Sequence, residues 1–144
     1  MADYAVRRID EMEAIVRGSF KKARAELGVS SFGIQVIDMP PNVDAYPEHD
    51  HSQDGQEEVY VAMRGGGEIE IDGERHPLDP DHLIRVGPGV KRKLWPGPEG
   101  ARVLAIGAVS GKAYEVRAST ELGAPDPFAA ASAPYIGLTS HIWL

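Results

Sequence analysis

Two histidines one residue apart, His49 and His51, stand in the segment Pro47-Glu48-His49-Asp50-His51, and a glutamate, Glu58, follows after a polar turn. On an extended strand residues two apart share a face, so His49 and His51 aim both imidazoles at one point. A turn across Ser52 to Gln56 returns the chain as a second strand on which Glu58, Tyr60 and Ala62 share one face and Val59, Val61 and Met63 the other. If the first of these faces looks inward, the Glu58 carboxylate can meet the two histidines. Two neutral imidazoles and one carboxylate on one side of a cation form a facial triad with open positions, suited to Fe(II), Mn(II), Ni(II) or Zn(II). An isolated His-x-His is more often a surface pair in an acidic loop, so the weight rests on its spacing to Glu58 and Gly65.

The elements that must position these residues are short. From Ser31 to about Val116 the sequence runs in β-like stretches broken by Gly, Pro, Asn and Asp, the pattern of an all-β sandwich or barrel. The expected strands are 32–37, 43–51, 58–63, 68–71, 75–78, 82–86, 91–95 and 102–109. Asp72-Gly73 marks a hairpin turn and Gly65-Gly66-Gly67 a second sharp break. Before them, Met12, Ile15, Val16, Phe20, Ala23 and Leu27 recur at helical spacing, with Asp10 and Glu13 as a capping box and Gly28 as a C-terminal cap. The expected organisation is one domain: a helix in residues 1–30 packed on the barrel, the barrel in 31–116, and an irregular C-terminal arm in 117–144. The arm ends in Ile142-Trp143-Leu144, an apolar end suited to docking on the barrel or on a neighbouring subunit.

Composition narrows the chemistry. The 144 residues match the roughly 150 of one domain, and 42% hydrophobic with 26% charged residues is ordinary for a globular chain. Twenty-two acidic against fifteen basic residues give a net charge of −7, which repels polyanions and speaks against nucleic acid. No apolar run approaches the roughly 20 residues of a membrane span, and no signal-like segment opens the sequence, so the expectation is a cytoplasmic protein with no membrane partner. The chain has no cysteine, which excludes disulfides, thiolate zinc sites and a cysteine nucleophile. His and carboxylate remain as the strong metal ligands.

Residues 32 to 109 resemble the cupin family, small β-barrels whose first motif is His-x-His, a short spacer, Glu, six residues and Gly. The motif here is His49-x-His51, Glu58 and Gly65. The spacer before Glu58 is longer than usual, Glu57 is a less favoured register, and Val43 stands where a Gly opens the motif. The resemblance implies a cupin barrel or double-sheet jelly roll and a homodimer. It also implies a second motif with a further His ligand, and there the match weakens: Arg92 occupies the ligand position, Asp81 the opening Gly and Pro96 the closing Asn. Leu94 shares Arg92's parity, so both side chains are expected to point inward, with Lys91 and Lys93 facing water. An inward guanidinium cannot discharge beside a cation. Arg92 can pair with Glu58 and leave no metal, share the cavity with a three-ligand metal and clamp an anionic substrate, or turn outward.

Two functional readings follow. In the first, His49, His51 and Glu58 hold a divalent ion and Arg92, with Tyr60 nearby, orients a small acidic molecule for oxidation or isomerisation, making a metal-dependent oxygenase or isomerase. In the second, the barrel is a metal-free binding or sensor module for a small ligand. His76 and His82 read as solvated turn histidines, His141 as a residue of the arm, and Tyr46 and Trp95 as core or pocket aromatics.

Overall fold

The computed structural model describes residues 2–127. Among these residues seven strands form one antiparallel sheet: β1 (Ala14–Ile15), β2 (Phe20–Lys21), β3 (Gly33–Met39), β4 (Gln56–Ile71), β5 (Glu74–Leu78), β6 (Ile84–Val86) and β7 (Arg92–Val109). Their order is β1-β2-β3-β7-β4-β5, with β6 also on β4. Among the described residues one α-helix, α1 (Ala23–Leu27), lies between β2 and β3.

Two long strands organise everything else. β4 and β7 pair along almost their whole lengths, and each serves two sheet halves. In one half, residues 56–65 of β4 lie beside 101–109 of β7, with β3 and β6 on the outer edges. In the other, 67–71 lie beside 92–96, with β5 outside. Between the halves the register shifts twice, at Ala62/Arg64 and Gly65/Gly67. Gly65-Gly66-Gly67, expected as a break, is therefore a bend within one strand. Gly65 has φ of 65°, and a Cβ on Gly67 would overlap the carbonyl oxygen of Trp95. Only a residue without a side chain permits that approach. Strands 91–95 and 102–109 likewise merge into β7.

The bend folds the inner faces together. Tyr60, Ala62, Val103 and Ala105 from one half pack in the same core as Ile69, Leu78 and Leu94 from the other. Parity along the strands is as expected: Glu58, Tyr60, Ala62, Arg92 and Leu94 are all buried, while Met63 and Lys91 are exposed. The Asp72-Gly73 turn also forms, with φ of 50° and 86°, the left-handed pair that closes a two-residue hairpin.

The N-terminal segment departs from expectation. The helix over residues 10–27 is confined to Ala23–Leu27, and the rest is the β1–β2 hairpin. The chain reverses at Val16, Arg17 and Gly18, all with positive φ (55°, 56° and 83°), which no right-handed helix accommodates. Ile15 and Phe20, three or more residues apart in the helical pattern, are instead cross-strand partners buried on one face. Asp10 and Glu13 form no capping box; Asp10 binds Arg102 and Glu13 binds Lys22. Gly28 does close the short helix, with φ of 75°.

The segment expected as strand 43–51 forms no strand. Pro47 lacks a donor, and only His49 bridges to the sheet, exchanging backbone hydrogen bonds of 3.0 and 2.9 Å with Arg92. The described part of the arm packs against the hairpin: the wholly buried Lys22 ammonium donates to the Glu121 and Ala124 carbonyls as well as to Glu13. His141 and the apolar end 142–144 lie outside the described residues. No helix among the described residues is long and apolar enough to cross a membrane.

Candidate metal centre

Backbone anchoring brings the two histidines to one place without a full strand. His49 is fixed by Arg92, and the His51 N–H donates to the Pro88 carbonyl at 2.7 Å. The first turn of the β6–β7 connection and the start of β7 therefore hold the His-x-His segment in the extended geometry that points both rings inward. Glu58 enters from the other half of the fold. Ligand atoms of His49, His51 and Glu58 lie within 4.8 Å of one another, and all three residues are buried. Glu57, the neighbouring register, faces outward and pairs with Arg85 at 2.7 Å.

Each imidazole is held by its Nδ1. His49 Nδ1 lies 3.1 Å from the Pro47 carbonyl, so it carries the proton and the neutral ring turns its Nε2 lone pair inward. His51 Nδ1 lies 3.0 Å from the Asp54 carboxylate, which in turn binds Arg117. This outer layer of acceptors is what a metal-binding imidazole needs to fix ring and tautomer. His51 Nε2 sits 2.9 Å from Glu58 Oε1, yet off the line a regular hydrogen bond would require. By donor type, proximity and outer support, the three residues fit a divalent ion.

The same carboxylate oxygen is also claimed by other groups. The Tyr60 hydroxyl donates to Glu58 Oε1 at 2.6 Å and Arg92 Nη1 donates to it at 2.7 Å. Arg92 Nη2 donates to the Gly87 carbonyl at 2.8 Å. Of the three arrangements open to Arg92, the structure has the inward pair with Glu58; both terminal nitrogens are engaged, and the side chain is fully buried. Tyr46 packs near His49, with ring centroids 5.8 Å apart.

Titration follows from these contacts. Burial brings His49 down to about 4, against the opposing pull of Glu58, so this ring is neutral near pH 7. For His51 burial acts in the same sense, but Glu58 and Asp54 outweigh it and the net shift is upward. For Glu58 burial favours the acid form, and His51, His49 and Tyr60 outweigh it to hold the carboxyl below its ordinary range. Burial beside Glu58 raises both Tyr60 and Tyr46, keeping their hydroxyls protonated.

The two other described histidines are peripheral: His82 pairs with Asp79 at 2.7 Å in an exposed turn, and His76 lies on β5 near the edge. Sequence reasoning missed Asp54 and Arg117. A carboxylate three residues after His51 was a usable signal for the first, because a ligating imidazole calls for an acceptor on its other nitrogen. Nothing local marks Arg117, which reaches Asp54 from the arm.

No family model matches the sequence, and no curated protein matches it. Among solved structures, a cupin protein from Bacteroides fragilis superposes with a TM-score of 0.59 at 20% identity, over 81% of this chain and 92% of its own. An RmlC-like cupin protein from Desulfovibrio desulfuricans covers 55% of this chain and 73% of its own, at 20% identity and a TM-score of 0.49. The first likeness, with the bent antiparallel sheet, establishes the fold: the chain is an all-β cupin barrel.

Proposed function

We propose that this protein is a divalent-metal cupin in which His49, His51 and Glu58 are the protein ligands and a small acidic molecule is the partner. The observation that carries the reading is the convergence of three buried ligand atoms within 4.8 Å, with both imidazoles oriented through their Nδ1 atoms. When bound, an ion of the Fe(II), Mn(II), Ni(II) or Zn(II) group supplies Lewis acidity at open positions. The chain's own residues do the rest. Tyr60 and Arg92 hold Glu58 in its ionised form and fix its rotamer. His49 presents a neutral nitrogen. Arg92, with Nη1 and Nη2 spent on Glu58 and Gly87, acts as an anchor for the carboxylate, and the charge of a bound ion would favour an anionic partner over a neutral one. Oxidation or isomerisation of a small acid is the reaction class this arrangement suits, and the cytoplasm and a homodimer are the setting we propose for it.

A second reading is favoured by one observation, the 2.7 Å Arg92–Glu58 pair, which already balances the buried carboxylate without a metal. In that case the barrel binds a small ligand unaided. Metal content by plasma mass spectrometry, on protein purified without chelator and on the His49→Ala, His51→Ala double variant, separates the two. About one equivalent in the parent and none in the variant supports the metal reading. No metal in either protein, and none acquired from Fe(II), Mn(II), Ni(II) or Zn(II), overturns it in favour of the second.

A further inference from the structure

The strands that carry Glu58 inward present a second, outward face. Tyr60, Ala62 and Ala105 fill the core, so the residues alternating with them on β3, β7 and β4 point away from it. Their registers line these side chains up: Ile34 lies beside Ile106, Ile106 beside Val59, and Leu104 beside Val61. Val59 also pairs with Arg85 of β6, and Leu83, two residues before Arg85, shares its parity and carries the row past Val61.

The chain covers one corner of this face itself. Ile9, Met12 and Ala23 pack on Val36 and Leu104, and Val36 is left only 3% exposed. Beyond that corner Ile34, Val59, Val61 and Ile106 are half-buried, Met63 is 44% exposed and Leu83 80% exposed. Phe32 and Ala108 extend the band at one end. With strands about 4.8 Å apart and side chains of one face about 6.7 Å apart along them, eight such positions make a patch of about 250 Å² in flat projection. Contiguous apolar surface of a few hundred Å² marks a contact site.

Charge identifies the occupant. The protein carries a net charge of −7, and two copies repel wherever that excess is displayed. It is not displayed here. Glu57 is matched by Arg85 at 2.7 Å, and beyond the covered corner Asp10 and Asp38 are matched by Arg102, with Lys21 also on Asp38. A cationic partner finds no free acid on this band, whereas a second copy brings the same neutral, apolar surface, which is the self-complementarity that a two-fold contact requires.

We propose that the outer face of β3, β7, β4 and β6 is a two-fold interface for a second copy of this chain, the two sheets packing face to face with Met63 and Leu83 at the contact. The inference gives a surface to the homodimer proposed above and rests on that part of the reading. It does not depend on the metal, because Glu58 faces the opposite side of β4 from Val59.

Sedimentation velocity of the full chain over about 1–200 µM tests it. The parent should shift from one to two chain masses with concentration. Leu83→Glu and Met63→Glu should each weaken the dimer about a hundredfold, since symmetry places each substitution in the contact twice at about tenfold apiece. Both side chains are exposed, so circular dichroism should show the fold unchanged. Leu122→Glu, at a 51% exposed position on the arm, should leave the dimer as it is. Raising sodium chloride tenfold should not weaken it, because no charge pair holds the band together. A parent that is monomeric at every concentration would overturn the surface and the homodimer together, while leaving the metal reading intact. A dimer that survives both Leu83→Glu and Met63→Glu, weakens as much with Leu122→Glu, or dissociates in salt would overturn this surface while keeping the homodimer.

Discussion

Replacing Arg92 with Met tests whether the buried pair is what holds Glu58 in place. Arg92 is wholly buried and Glu58 is 1% exposed, so the substitution strands a carboxylate in a site with almost no water. Breaking a buried ion pair costs about 3–5 kcal/mol when one charge is left behind. Here Tyr60 still donates to Glu58 and His51 stays 2.9 Å away, so the low end applies, about 3 kcal/mol. For a domain of this size that corresponds to a fall of about 10 °C in melting temperature. Urea unfolding of the metal-stripped protein, followed by circular dichroism, measures it directly. Glu58→Gln alone should cost a similar amount, since it leaves the guanidinium unmatched. The double variant Arg92→Met, Glu58→Gln should cost about 2–3 kcal/mol less than the sum of the two, the signature of direct coupling. Additive losses, or a loss under about 1 kcal/mol for Arg92→Met, would refute the view that this contact is a buried, charged interaction.

Four further outcomes follow from the geometry. Gly67→Ala should destabilise by about 3 kcal/mol or abolish soluble protein, because its Cβ would overlap the Trp95 carbonyl and meet Gly97; thermal melting reads this. Lys22→Met should leave the Glu121 and Ala124 carbonyls unpaired and cost about 2 kcal/mol, and limited proteolysis should cleave near residues 117–124 faster than in the parent. Tyr60→Phe should lower metal affinity about tenfold by loosening the Glu58 carboxylate, as measured by competition with a chromogenic chelator. The last concerns pH. His51 has a folded pKa above its unfolded value near 6.5, so its contribution to metal-free stability is full below that value and is lost as pH rises through the folded pKa. Metal must displace that proton, so affinity should rise with pH up to the folded pKa, and uptake below that pKa should release a proton. Calorimetry in two buffers of different ionisation enthalpy counts it, and no release would mean His51 is neutral before the metal arrives.

The triad was legible because its information is local. Two histidines at spacing two and a glutamate at fixed parity on the next strand need only alternation and a turn, and Asp72-Gly73 announces its own hairpin. Arg92's inward direction was legible from the same parity; its partner was not, because Glu58 lies 34 residues away and on the other half of the sheet. The N-terminal hairpin was misread for a different reason. Ile15, Phe20 and Ala23 satisfy a helical period and a two-strand face alike, and the deciding fact, three successive left-handed residues at 16–18, carries only Gly18 as a sequence signal. The merging of 58–63 with 68–71 was hidden because glycine triplets mark a chain reversal and a bend equally well; what separates them is the tight approach to Trp95, a tertiary fact.

The sharing of β4 and β7 between both sheet halves has a dynamic consequence. The halves share one core as well as two strands: Tyr60, Ala62, Val103 and Ala105 pack with Ile69, Leu78 and Leu94, so parting them exposes a single continuous apolar interior. Native-state hydrogen exchange at Leu94 and at Ala105, in opposite halves of that core, should therefore report one common opening free energy equal to that of global unfolding. Adaptation to a guest must then come from the segments that border the strands, 47–55 and 110–117, whose amides should exchange by smaller, local openings while the ladder between them stays closed.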